Sequence, residues 1–128
     1  MLGVTIMATA AATSPVDAAT RKAILDSARV PVAEALGKPV LFRVAHLAAS
    51  GDWAFLRAEM EGPGGAPVDY AGTPFAEAAQ HGAASRTYAA LLRRKGDGWT
   101  VVDKAIAPTD VAWEDWATHH RAPPAIFG

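Results

Sequence analysis

Arg86-Thr87-Tyr88-Ala89-Ala90-Leu91-Leu92-Arg93-Arg94-Lys95-Gly96-Asp97-Gly98-Trp99-Thr100-Val101-Val102-Asp103-Lys104-Ala105-Ile106-Ala107 is the stretch whose reading decides the fold. Two β-compatible runs, each anchored by an aromatic residue, flank Lys95-Gly96-Asp97-Gly98. Glycine and aspartate there supply the positive φ that a tight hairpin turn needs. The chain then enters Pro108-Thr109-Asp110-Val111-Ala112-Trp113-Glu114-Asp115-Trp116. Thr109 or Asp110 is expected to cap a final helix in which Trp113, Trp116 and Ala117 share one face at i, i+3 and i+4. Pro123-Pro124 ends that helix, and Ile126-Phe127 is expected to dock as an apolar tail.

Working upstream, a second hairpin joins Val40–Ala49 to Trp53–Met60 through Ser50-Gly51-Asp52. In its second strand Trp53, Phe55, Arg57 and Glu59 share one face and Ala54, Leu56, Ala58 and Met60 the other, so burial of the first face carries Arg57 inward. Before the hairpin, Ile24, Leu25, Ala28, Val32, Ala35 and Leu36 fall on one helical stripe. Ser14-Pro15-Val16-Asp17 reads as the start of that helix, with Ser14 as N-cap. Pro31 removes a backbone donor, which predicts a kink or a second short helix beginning there. Gly37, through a left-handed cap, and Pro39 then stop it. Between the hairpins, Gly62-Pro63-Gly64-Gly65-Ala66-Pro67 is irregular. A short helix follows, capped by Thr73 with Pro74 at its first position and stopped by Gly82.

The element order predicts one α+β domain over residues 14–128: a kinked N-terminal helix on a four-stranded antiparallel sheet covered on one face, with a short C-terminal helix. At 128 residues the chain has the length of one domain, and its 51% hydrophobic content suits a packed core. The absence of cysteine excludes disulfides, thiolate nucleophiles and cysteine-held metals. The formal net charge of −1, with no basic run beyond Arg93-Arg94-Lys95, predicts neither a nucleic-acid nor an anionic-membrane partner. Residues 1–13 are small and apolar, with A-x-A-like tracts. They read either as the remnant of a secretory signal lacking its basic region or as an alanine-rich tail. No apolar run reaches the ~20 residues of a membrane span.

No established chemical motif is present. His46, His81, His119 and His120 have no metal-ligand spacing, and no metal or other cofactor is expected. Arg57, Glu59 and His46 can meet on one hairpin, where they read as cross-strand polar pairs. Asp110 reads as a helix cap. Trp113 and Trp116 read either as packing that seals the last helix or as the frame of a groove, since an indole joins large apolar area to one donor. Trp53 and Trp99 read as core.

Several motifs together carry a family likeness: Gly37-Lys38-Pro39-Val40 with Phe42 and Val44, Gly51-Asp52-Trp53-Ala54-Phe55, Leu91-Leu92-Arg93-Arg94, Gly98-Trp99-Thr100-Val101-Val102, and Pro108 to Trp113 with Trp116. Over residues 20–127 the chain resembles small uncharacterised proteins of Gram-negative bacteria that are predicted to be exported. That resemblance implies a periplasmic or secreted protein and transfers no activity. In element order the chain is also similar to cystatin-like and nuclear-transport-factor-2-like folds. The resulting expectation is a non-catalytic binding or accessory module of the cell envelope, with Arg57, Asp110, Trp113 and Trp116 as contact residues for a protein or small molecule. The alternative is a small enzyme with a proton-transfer residue, Asp103, His46 or Glu59, in a cavity between helix and sheet. A homo-oligomer joined through its sheet face is a third arrangement.

Overall fold

The computed structural model describes residues 16–128. The proposed Ser14 cap and the signal-like tract 1–13 lie outside them. Helix α1 spans Ala18–Leu36, and its N-cap is Asp17, whose carboxylate accepts the Thr20 backbone N–H at 2.7 Å. At the other end Gly37 adopts φ 73°, and its N–H reaches Ala33 O. Of the two outcomes expected at Pro31, a separate second helix is not formed: α1 runs through the proline as one element. The reason is tertiary. Ile24, Ala28, Val32 and Leu36, spaced four apart on both sides of the proline, are all buried in one core, which holds the two halves together despite the missing bond.

Four antiparallel strands follow in the order β1-β2-β3-β4: β1 Leu41–Ser50, β2 Trp53–Glu61, β3 Thr87–Lys95 and β4 Gly98–Ile106. Both hairpins turn where glycine allows it, at Gly51 (φ 59°) and Gly96 (φ 58°). Between them lie an irregular stretch and the one-turn helix α2, Ala76–Gln80. Thr73 does not cap α2 directly. Its hydroxyl accepts from Phe75 N and donates to Tyr70 O, shaping the turn ahead of the helix. The last elements are α3, Trp116–His120, and a 3-10 turn, Pro124–Phe127.

The sheet is covered on both faces, not on one. On the inner face α1 buries Ala54, Leu56, Ala58, Tyr88, Ala90 and Leu92. The Tyr88 hydroxyl donates to Ala28 O at 2.9 Å, tying the sheet centre to the helix backbone. On the outer face the C-terminal segment lies over Ala48, Phe55, Ala89 and Leu91 through Trp116, Ala122 and Ile126. The expected alternation along β2 therefore holds, and both of its faces are interior. The expected docking of Ile126-Phe127 also holds: Ile126 is fully buried, and the Phe127 ring lies 4.7 Å from that of Phe55. Among the described residues, no helix is long and apolar enough to cross a membrane.

Candidate functional site

The outer face is a grid set by strand register. One row runs His46, Arg57, Ala89, Ala105, and the next runs Ala48, Phe55, Leu91, Asp103. Two β-bulges, one on each edge strand, decide which side chains reach it. In β1 the register slips between Val44 and His46, leaving Ala45 unpaired, and in β4 Val102 is the extra residue between Val101 and Asp103. Val44 and Val101 pair with inner-face residues, Ala58 and Leu92. In a regular strand His46 and Asp103, two positions on, would also point inward. Each bulge turns its residue to the outer face.

Both redirected residues hold the C-terminal segment. His46 Nε2 lies 2.7 Å from Ile126 O, and because a carbonyl only accepts, that nitrogen carries the proton. Asp103 Oδ2 lies 2.7 Å from His120 Nε2, with side chains 33% and 22% exposed, and Asp103 Oδ1 accepts the Lys104 N–H at 2.8 Å. Between these two ties sits an aromatic cluster centred on Phe55. Trp113 lies at 6.2 Å, and Trp116 meets the ring edge-on at 6.1 Å.

Of the four expected contact residues, Trp113 and Trp116 are brought together over Phe55, and Arg57 stands in the adjoining row of the same face, half-buried. Asp110 is not with them: it is exposed in a bend and caps nothing. The helix begins at Trp116, and the residues before it form turns closed by i→i+3 bonds, Glu114 N to Val111 O and Trp116 N to Trp113 O. Valine, aspartate and tryptophan are weak helix formers, so docking of the indoles on Phe55 outweighs propensity there. Trp116 is buried and packs, whereas Trp113 is half-buried. Glu59 does not join Arg57 and His46. It accepts a hydrogen bond from the Thr87 hydroxyl at 2.9 Å, while Arg43 pairs with Glu61.

His120 was not singled out by the sequence as a partner of Asp103. The signal that locates the bulges is a slip in apolar phase, from even positions Phe42 and Val44 to odd positions Leu47 and Ala49, and from Trp99 and Val101 to Ile106. Burial holds the Tyr88 hydroxyl well above the usual phenol range, and burial raises Tyr70 as well. The exposed carboxyls of Asp17 and Asp26 are held below the usual range, the first by the Thr20 backbone N–H and the second by the Lys22 ammonium. A cleft of about 510 Å³ lies elsewhere, lined by Pro67, Asp69, Tyr70, Ala76, Gln80 and Arg86. Among the described residues no group of three or more side chains is placed to hold a metal ion. No family model, no curated protein and no solved structure matches this chain.

Proposed function

We propose that the protein is a non-catalytic binding or accessory module of the bacterial cell envelope, which makes its contacts on the outer side of the sheet. The observation that carries this reading is the filled interior between α1 and the sheet. Ile24, Ala28, Val32, Leu56, Tyr88 and Leu92 are all fully buried there, in the space where an enzyme of this architecture would enclose a substrate. The loop leading into α3 supplies the contact surface, with Asp110 exposed, Val111 55% exposed and Trp113 half-buried beside it. Such a strip, apolar at its centre and polar around it, suits recognition of another molecule. The envelope assignment rests on the resemblance to exported proteins and on the signal-like tract 1–13.

The test is a photo-crosslinking residue at position 111 in the producing cell. The expected result is a discrete adduct in the envelope fraction that Trp113→Ala abolishes without changing the melting temperature by more than a few degrees. A chain found only in the cytosol overturns the compartment. Adducts indifferent to Trp113 overturn the contact surface.

A second reading, the small enzyme, is favoured by the Asp103–His120 pair, in which a carboxylate orients an imidazole as in many proton-transfer sites. It predicts turnover of some ester or carbonyl acid in a substrate panel, lost in Asp103→Asn. The module reading predicts no turnover by either that variant or the parent.

A further inference from the structure

We infer that the cleft of about 510 Å³ between the loop 67–71, α2 and Arg86 is a small-molecule site, and that its ligand is a free α-amino acid with an apolar side chain. This goes beyond the contact surface proposed at the loop before α3, with which the cleft shares no residue. Its volume falls in the range of about 300–1,000 Å³ typical of small-ligand sites. One cation and one anion line it, Arg86 and Asp69, and neither is ion-paired with the other or with any other described residue. Two opposite charges left unpaired in one cleft match a ligand that carries both. The guanidinium fork takes the carboxylate, and the Asp69 carboxylate takes the ammonium. Val68, Tyr70, Ala76 and Ala79 offer an apolar wall to the ligand's side chain, and Gln80 adds one amide.

Both charged groups are anchored through one atom and free at the others. Arg86 Nε donates to Val68 O at 3.4 Å, and the two terminal nitrogens have no partner among the described residues. Asp69 Oδ1 accepts the Ala71 N–H at 2.9 Å, and Oδ2 likewise has no partner among them. Asp69 is exposed between buried Val68 and buried Tyr70. The loop that carries it is fastened: the Lys38 ammonium donates to Asp69 O at 2.6 Å, the Tyr70 hydroxyl donates to Ser85 O, and the Thr73 hydroxyl donates to Tyr70 O at 2.7 Å. Groups fixed in this way lose little freedom when a ligand arrives. The guanidinium acts on the floor of the cleft, since burial pushes the Tyr70 hydroxyl up while the Arg86 charge opposes that rise and Glu59 adds to it. A purely negative ligand would meet Asp69 and Glu59 beside the guanidinium, whereas a zwitterion answers both signs. On the far side of Arg86 the neighbouring charges are engaged, Arg43 with Glu61 at 3.3 Å and Glu59 with the Thr87 hydroxyl at 2.9 Å.

The test is an NMR titration of the isotope-labelled full-length chain with L-leucine and L-phenylalanine, read at the backbone amides of residues 68–80. Isocaproate, which is leucine without its amino group, and isoamylamine, which is leucine without its carboxylate, serve as half-ligands. The expected result is a saturable shift with at least one of the two amino acids at millimolar concentration. Where leucine is that ligand, each half binds at least about tenfold more weakly, the effect of one lost charge-assisted contact. Arg86→Gln is expected to weaken the amino acid at least about tenfold and leave isoamylamine unchanged, and Asp69→Asn to weaken it similarly without weakening isocaproate. Both side chains are exposed, so neither substitution removes core packing. Should a variant nonetheless fail to fold, the parent's preference for the whole amino acid over its halves decides. No saturable shift with either amino acid overturns the inference, as does leucine bound no more tightly than one of its halves, or binding indifferent to both substitutions. Each of these outcomes leaves the crosslinking result at position 111 standing.

Discussion

The two faces of the sheet are held by different physics. The inner face is aliphatic and alanine-rich, covered by a 19-residue helix, and linked to it through one buried hydroxyl. The outer face is aromatic, covered by short turns, and fastened at its two edges by histidine contacts. A continuous helix buries a stripe that cannot be peeled back one residue at a time. The segment over the outer face, built of short turns and held by one ring cluster and two edge ties, has less cooperative structure to lose and can open at lower cost. The contrast assigns the larger share of global stability to the inner side and the smaller share to the outer side.

Neighbouring residues of β2 provide the largest test, because Leu56 points inward and Phe55 outward. Leu56→Ala is expected to lower the urea-derived stability of the whole molecule by about 2–5 kcal/mol, the range for a fully buried leucine. Phe55→Ala removes the hub of the outer cluster, so its main effect is expected in hydrogen exchange of residues 116–127, with β3 staying protected. If the two variants lose β3 protection alike, the faces form one cooperative unit and the contrast fails.

Tyr88→Phe sharpens the inner side. Near neutral pH the loss of the bond to Ala28 O is expected to cost about 1 kcal/mol. Because burial raises the hydroxyl's pKa above its ordinary value of 10.0, the folded chain holds the phenolic proton more tightly than the unfolded chain. Tyr88 therefore stabilises the fold fully below pH 10, and that share is lost as pH climbs beyond it. Denaturant midpoints measured across alkaline pH should fall more steeply for the parent than for Tyr88→Phe; identical slopes would show that Tyr88 is not buried as described. On the outer side, Asp103→Asn breaks a pair that is a third exposed, so the expected loss is smaller, about 0.5–1 kcal/mol after solvent screening. It should be confined to the C-terminal segment, read as sharper tryptophan quenching by added iodide.

The inner face was legible in the sequence because its evidence is periodic. The i, i+4 stripe from Ile24 to Leu36 and the alternation Ala54, Leu56, Ala58, Met60 each repeat often enough to specify a face, and Gly51 and Gly96 mark the turns. The outer face was legible only in fragments. Trp113 and Trp116 stood out, as did the apolar tail, but a helix from Thr109 was the wrong frame for them. Their arrangement follows from long-range docking on Phe55, which local propensity does not encode. His46 and Asp103 were visible as titratable residues and not as a matched set, because a strand read with strict period two sends both to the inner face. One unpaired residue in each edge strand reverses that, and only the slip in apolar phase announces it. Arg57 shares a face with Phe55, as the alternation predicts, but that face lies on the side of the sheet away from α1. Asp110 was assigned to a cap that the folded chain supplies elsewhere.

Arg121 gives the smallest and most discriminating test of the outer side. Its φ of 57° ends α3 in the left-handed region, where its N–H bonds to Ala117 O and Thr118 O and where glycine is the usual occupant. The side chain is exposed, so replacing it removes no core packing. Arg121→Gly should relieve the backbone penalty of about 1–2 kcal/mol, partly offset by glycine's greater freedom in the unfolded chain, about 0.5–1 kcal/mol. The net expectation is a gain of about 0.5–1 kcal/mol. If the segment opens independently of the sheet, that gain will appear as slower exchange of residues 116–122 with an unchanged urea midpoint, because strain removed from a part that has already detached does not alter global unfolding. If the midpoint rises by the full amount instead, the C-terminal segment unfolds with the core, and the outer face is as much a part of the cooperative structure as the inner one.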